Sequence, residues 1–221
     1  MYPKSNAKYL SHRARTVIVL CEIAFIVILL IGWFSIKGLR ESHNLWILFL
    51  YNFPSQFLIA IVPHEPVFLY FCKFYSPLLV TIVAIVGTLL TEYFNYTVFE
   101  YFLDLEKFNI IRTNRFVKKL LHLFDKAPFT ALLIAGFTPI PFYPFRFIVV
   151  MAEYPLYKYL LAIFLSRTPR FFILALFGST FMFSDEMLGI IFAILLLIGL
   201  LPLLRVRSKS KEKNQKLPET I

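Results

Sequence analysis

The chain is poor in the residues that soluble and catalytic proteins depend on. Only 16% of its 221 residues are Asp, Glu, Lys or Arg, against about 25% in an ordinary soluble domain, so water is not its main solvent. Its two cysteines, Cys21 and Cys72, lie in or beside apolar stretches with neither a metal-ligand spacing nor a disulfide framework, and read as packed thiols. Seven glycines and four histidines form no phosphate-binding loop, no metal-ligand cluster and no nucleophile–base arrangement. No cofactor, no metal and no enzymatic activity are expected. The net charge of +10 comes without a nucleic-acid-binding motif, so nucleic acid is not an expected partner.

What is present is apolar sequence in blocks. Hydrophobic residues make up 59% of the chain and 26 residues are phenylalanine, best read as lipid-facing and packing surface. Several blocks reach the roughly 20 residues that cross a bilayer. The first, about Val17 to Ile36, follows a basic head (Lys4, Lys8, Arg13, Arg15) and precedes Lys37 and Arg40. It lacks a small-residue cleavage site and is read as a retained helix. Leu45 to Val62 is apolar but interrupted by Asn52, Pro54 and Gln56 and stopped by Pro63-His64-Glu65-Pro66. Prolines flanking a glutamate cannot continue a helix through lipid, so this segment is expected to dip in and return. Val67 to about Phe102 is a long helical candidate, interrupted by Pro77 and carrying Glu92 and Asn95.

Leu103 to Lys126 holds Lys107, Arg112, Arg115, Lys118, Lys119 and Lys126 among apolar residues at helical spacing, the pattern of a helix lying on the membrane surface. A second broken block, Phe129 to Met151, is cut by Pro139, Pro141 and Pro144 and ends near Arg146 and Glu153. Two proline-broken segments are the signature of paired re-entrant hairpins with tips near the membrane midplane. Leu156–Phe181 and Met187–Leu204 give two further spans, followed by a basic polar tail. The reading is an all-α integral membrane protein: about four transmembrane helices, two opposed re-entrant hairpins and one amphipathic surface helix. A basic head (1–16), a membrane domain (17–204) and a disordered basic tail (205–221) divide it. With hairpins that return, head, central basic segment and tail share one side, which the positive-inside rule makes cytoplasmic.

An ionisable group in hydrocarbon costs on the order of 3 kcal/mol even on lenient scales. Glu65, Glu92, Arg146, Glu153, Arg167 and Arg170 are therefore the candidate site residues, either as structural ion pairs and snorkelling arginines or as a polar path through the protein. Glu65 and Arg146 lie closest to the breaks Pro63, Pro66, Pro139, Pro141 and Pro144, where a midplane site would form. Arg167 and Arg170 share one helical face across Pro169 and suit a phosphate headgroup, or reach interfacial lipid phosphate. His64 is either a proton relay or a hydrogen-bonded loop residue. Asn95-Tyr96-Thr97 matches the glycosylation pattern, but inside a span the match carries no meaning.

Three stretches carry a resemblance. Val62-Pro63-His64-Glu65-Pro66 is similar to a proline-bracketed acidic hairpin. Gly87 to Tyr96 resembles a Gly-x-x-x-Gly-Asp-x-x-x-Tyr helix, with Thr91 in place of the second glycine. Phe137-Thr138-Pro139-Ile140-Pro141 through Pro155 to Arg167-Thr168-Pro169-Arg170-Phe171 looks like a second hairpin and the helix after it. Together, over about residues 52–181, they resemble the DedA or VTT-domain membrane proteins, also called the SNARE-associated Golgi family, in the shorter YqaA-like branch. Gly136 and Phe142 stand where many members carry arginine, and Glu153 where an Ala-Gly pair is common. The resemblance implies lipid movement: a flippase or scramblase of the cytoplasmic (inner) membrane, with phosphate-bearing lipids as partners and homo-oligomers allowed. A proton-coupled transporter of small ions or solutes and a non-transporting scaffold are the alternatives.

Overall fold

The computed structural model describes residues 12–36, 38, 43–58, 62–103, 115–138, 142–181 and 183–198. Residues 1–11 of the basic head, the basic tail, residues 104–114 of the central basic segment, and the breaks Pro139 and Pro141 lie outside the described residues. Among those described, every regular element is a helix. In chain order these are α1 (His12–Ser35), α2 (Leu45–Gln56), α3 (Glu65–Phe71), α4 (Pro77–Leu103), α5 (Arg115–Lys126), α6 (Pro128–Phe137), α7 (Tyr143–Met151), α8 (Leu156–Phe181) and α9 (185–198).

Proline sets several starts. Pro66, Pro128 and Pro144 occupy first-turn positions of α3, α6 and α7, and Pro77 is the first residue of α4. A missing N–H costs nothing there, and the fixed φ already suits the helix. Pro77 therefore opens a helix rather than interrupting one: the expected helix from Val67 to Phe102 is two helices, α3 and α4, with a turn between. In α2, capped by Asn44 accepting from the Trp46 N–H at 3.0 Å, Asn52, Pro54 and Gln56 lie inside the helix rather than breaking it. The break comes at Phe57–Leu58, where Leu58 has φ 47°, the left-handed region that costs a side-chain-bearing residue about 1–2 kcal/mol.

α4 and α8 are long and apolar enough to cross a bilayer; α5 and α6 would make a third span if taken together, but they meet at 98°. α4 and α8 pack against each other, α2 lies on α4 and α6 on α8. Residues from the end of α4 (Tyr96, Leu103) share one apolar cluster with Tyr154, just before α8, and with Tyr159 and Ile163 from the start of α8. Val80, Ala84 and Ile85 from the start of α4 share a second cluster with Phe171 and Ala175 from the far half of α8. The two long helices are therefore antiparallel, with one apolar cluster towards each end. Their outer faces expose Leu78, Ile82, Val86, Leu161, Leu165 and Phe172, which water would not tolerate in such number and lipid does.

Two glycines permit the closest approaches. A Cβ on Gly87 of α4 would lie 2.7 Å from Asn52 Nδ2 of α2, and one on Gly136 of α6 would overlap Ser166 Oγ of α8. These contacts draw the short helices of both broken segments against the long ones.

α7 ends in a Schellman turn: the Tyr154 N–H reaches Val149 O at 3.0 Å and the Glu153 N–H reaches Val150 O at 3.1 Å. The left-handed residue in it is Glu153, φ 52°, at a position that glycine usually fills. Glu153→Gly removes a left-handed strain of about 1–2 kcal/mol and adds an unfolded-state entropy cost of about 0.4–1 kcal/mol. It should leave the protein as stable or more so, read as an unchanged or higher Tm in detergent. A drop of several degrees would mean that the Glu153 side chain contributes a contact of its own.

Candidate functional site

Between the two apolar clusters lies a polar layer. Glu92 is 15 residues into α4, roughly 22 Å along a helix of about 40 Å, and Arg167 is 11 residues into α8, roughly 17 Å along a similar length. Both are near the middle of their helices. Glu92 is 0% exposed, and a carboxylate there persists only if its charge and lone pairs are met. Arg146 of α7 meets them with two parallel bonds, Nε to Oε2 at 2.8 Å and Nη2 to Oε1 at 2.7 Å. Tyr159 donates its hydroxyl to Oε2 at 2.7 Å, and Asn95 Nδ2 stands 3.3 Å from the same oxygen. Arg167 Nη2 lies 3.2 Å from Oε1.

The layer continues into the first broken segment. Gln56 Oε1 accepts from Arg167 Nη1, while Gln56 Nε2 donates to Asn52 Oδ1 at 2.7 Å and Thr88 Oγ1 at 2.9 Å. The strained Leu58 is held from both sides: its N–H donates to Asn95 Oδ1 at 2.8 Å, and its carbonyl accepts from Arg146 Nη1 at 2.9 Å. The side chains around Glu92 thus also fix the backbone after α2. This accounts for a left-handed leucine, since two bonds to buried partners outweigh a cost of about 1–2 kcal/mol.

The two arginines play different parts. Arg146 is 3% exposed and spends donors on Glu92 and on Leu58. Arg167, 7% exposed, is not needed to satisfy Glu92 and leaves its Nε without a hydrogen-bond partner. Its guanidinium lies over the Phe142 ring at 4.8 Å, a cation–π contact that supports the cation. One carboxylate against two guanidiniums leaves this buried layer with a formal charge of plus one.

A second pair lies further along α8. Arg170 Nη2 is 3.3 Å from Glu65 Oε1, with the two side chains 27% and 42% exposed. Arg170 Nη1 also donates to Thr138 O, where α6 ends, at 3.2 Å. Arg170 therefore ties the start of α3 to the end of α6. Between the two pairs sits His64, buried against Phe68 and Phe171, with Nδ1 3.4 Å from Ser55 Oγ and Nε2 unpartnered.

The candidate residues thus sort in an order that linear position did not suggest. Glu92, Arg146 and Arg167 come together; Glu65 pairs with Arg170 and not with Arg146; exposed Glu153 joins neither group. Sequence reading missed Gln56, Asn52, Tyr159 and Leu58. Asn52 and Gln56 had a usable signal, two amides four apart in an apolar run, and so on one helical face. Tyr159 and Leu58 had none, because their roles depend on neighbours distant in sequence. Among the described residues no group of three or more His, Cys, Asp or Glu could hold a metal ion.

The model of the VTT domain matches residues 62–180, more than half of the chain and the stretch that contains all six charged candidates. No curated protein and no solved structure gives a match. Two long apolar antiparallel helices enclosing a buried charge layer are consistent with that assignment, and the chain belongs to the VTT-domain, or DedA, family of membrane proteins.

Proposed function

We propose that the protein is a lipid transporter of the YqaA-like branch, a flippase or scramblase that carries phosphate-bearing headgroups across the cytoplasmic membrane. In this reading α1, α4, α8 and α9 cross the bilayer. α2–α3 and α6–α7 are opposed re-entrant hairpins, and both termini are cytoplasmic.

One observation carries the proposal: the unbalanced positive charge at mid-helix, held by Arg167. A buried cation without its own counter-charge is costly, and a passing phosphate would supply that counter-charge. Arg167 offers planar paired donors suited to phosphate. It can also exchange partners cheaply, because Glu92 keeps Arg146 and Tyr159 when Arg167 turns away. The Glu65–Arg170 pair, partly exposed and joining both broken segments, is the place where a headgroup would first meet the protein. There it would compete with Glu65 for the guanidinium while its acyl chains stay in lipid.

Reconstitution into liposomes with fluorescent phosphatidylethanolamine or labelled polyprenyl phosphate tests the reading. Arg167→Gln should slow headgroup crossing at least about tenfold, equivalent to ~1.4 kcal/mol or more on the barrier. It should leave Tm unchanged or raised, because the charge it removes only shares a counter-ion, Glu92, that Arg146 and Tyr159 already satisfy. Crossing at the parent rate in a folded Arg167→Gln protein would sink the proposal.

A further inference from the structure

α5 is amphipathic, with Lys118, Lys119 and Lys126 among its polar residues. Such a helix is expected to press its apolar side into lipid. Here that side is already occupied. Phe124 is buried with its ring 6.0 Å from that of Tyr154, and Val117, Leu120 and Leu121 pack on the same apolar cluster. The face left uncovered is the cationic one. Lys118, Lys119 and Lys126 are all exposed. In their midst Leu123 is 65% exposed, four residues after Lys119 and three before Lys126, so those three side chains form one strip.

The position of α5 determines what that strip meets. Its docking cluster combines Leu103, the last residue of α4, with Tyr154 and Leu156 at the beginning of α8. α4 and α8 have 27 and 26 residues, about 40 Å each, against a hydrocarbon core of about 30 Å. Their ends therefore stand at headgroup level. Tyr157, 68% exposed, and Lys158 beside it are the residues expected at that depth. α5 then turns through 98° into the wholly uncharged α6, as a helix lying along the interface would before the chain descends.

We infer that the Lys119–Leu123–Lys126 strip, together with Lys118, is a docking surface for anionic phospholipid headgroups of the bilayer in which the protein sits. The leucine enters between headgroups while the lysines hold the phosphates. Charge complementarity and depth both favour this occupant: one exposed acid on α5, Asp125, opposes three lysines, and each lysine near an anionic leaflet adds to the attraction. The strip lies at the membrane face, away from the mid-helix charge layer, so the inference stands independently of the transport reading.

A tryptophan reporter tests it. In a chain carrying Trp33→Phe and Trp46→Phe, Leu123→Trp is reconstituted in phosphatidylcholine vesicles in which one lipid in five is phosphatidylglycerol. Bromine is placed either on the phosphatidylglycerol or on the same mole fraction of phosphatidylcholine. The expected result is roughly threefold stronger quenching from brominated phosphatidylglycerol, falling to parity when Lys118, Lys119 and Lys126 are replaced by Gln. Elution and Tm report whether that triple variant remains folded. Equal quenching by the two lipids in the parent, no quenching by either, or a preference that survives the triple replacement would each overturn the inference.

Discussion

Arg146→Ala is expected to cost about 3–5 kcal/mol of stability, the penalty for leaving one member of a buried ion pair without its partner. The loss extends beyond Glu92. The same guanidinium holds the carbonyl of left-handed Leu58, so its removal frees the segment after α2 to relax. Glu92→Gln should be comparably damaging for the opposite reason: it leaves Arg146 and Arg167 facing each other in a buried layer without a counter-charge. Combining Arg146→Ala with Glu92→Gln should recover part of the loss, since the surviving layer then holds one cation and a neutral amide that can accept from it. The double-mutant cycle, read from thermal unfolding in detergent, should give a coupling of about 2–3 kcal/mol. Additive losses would mean that the two side chains do not act as a pair. The contrast with Arg167→Gln is the informative part: two arginines in one layer are expected to divide into a structural member and an exchangeable one.

The second large effect is steric. Gly136→Ala places a methyl where Ser166 Oγ lies, with Ser166 Cβ at 2.9 Å. Ser166 cannot easily yield, being buried with its hydroxyl bonded to Ala162 O at 2.7 Å. Overpacking of this kind typically costs about 1–3 kcal/mol, and here it would push α6 off α8 next to Arg167. Gly136→Ala should therefore lower Tm, and Ser166→Gly should restore most of the loss in the double variant, because it removes both atoms in the way. Failure of that rescue would show that α6 is displaced for another reason. The same contact leaves no room for a side chain at position 136 between these helices.

Much of the fold could be read from the order of residues. Composition and block length are local quantities, and they are enough to point to an all-helical membrane protein; of the four spans they suggested, α4 and α8 are long and apolar enough to cross a bilayer among the described residues. The rarity of charge inside those blocks also singled out Glu92, Arg146 and Arg167, because hydrocarbon penalises any ionised group wherever it lies in the chain. Helix boundaries around proline were read less well. The residue breaks a helix or begins one depending on whether the N–H it lacks would have been needed, and at Pro66 and Pro77 it would not.

Pairing was decided only in three dimensions. Glu65 and Arg146 each lie beside a proline break, and linear position placed both at one midplane site; the packing of α7 on α4 and of α3 on α8 instead gave Arg146 to Glu92 and Arg170 to Glu65. Electrostatic energy depends on separation in space, and residues 54 apart in the chain can stand 2.7 Å apart in the fold. For the same reason sequence alone identified a basic amphipathic helix within 103–126 but not the direction of its apolar side. That depended on whether Phe124 found protein or lipid, and Tyr154 was already there.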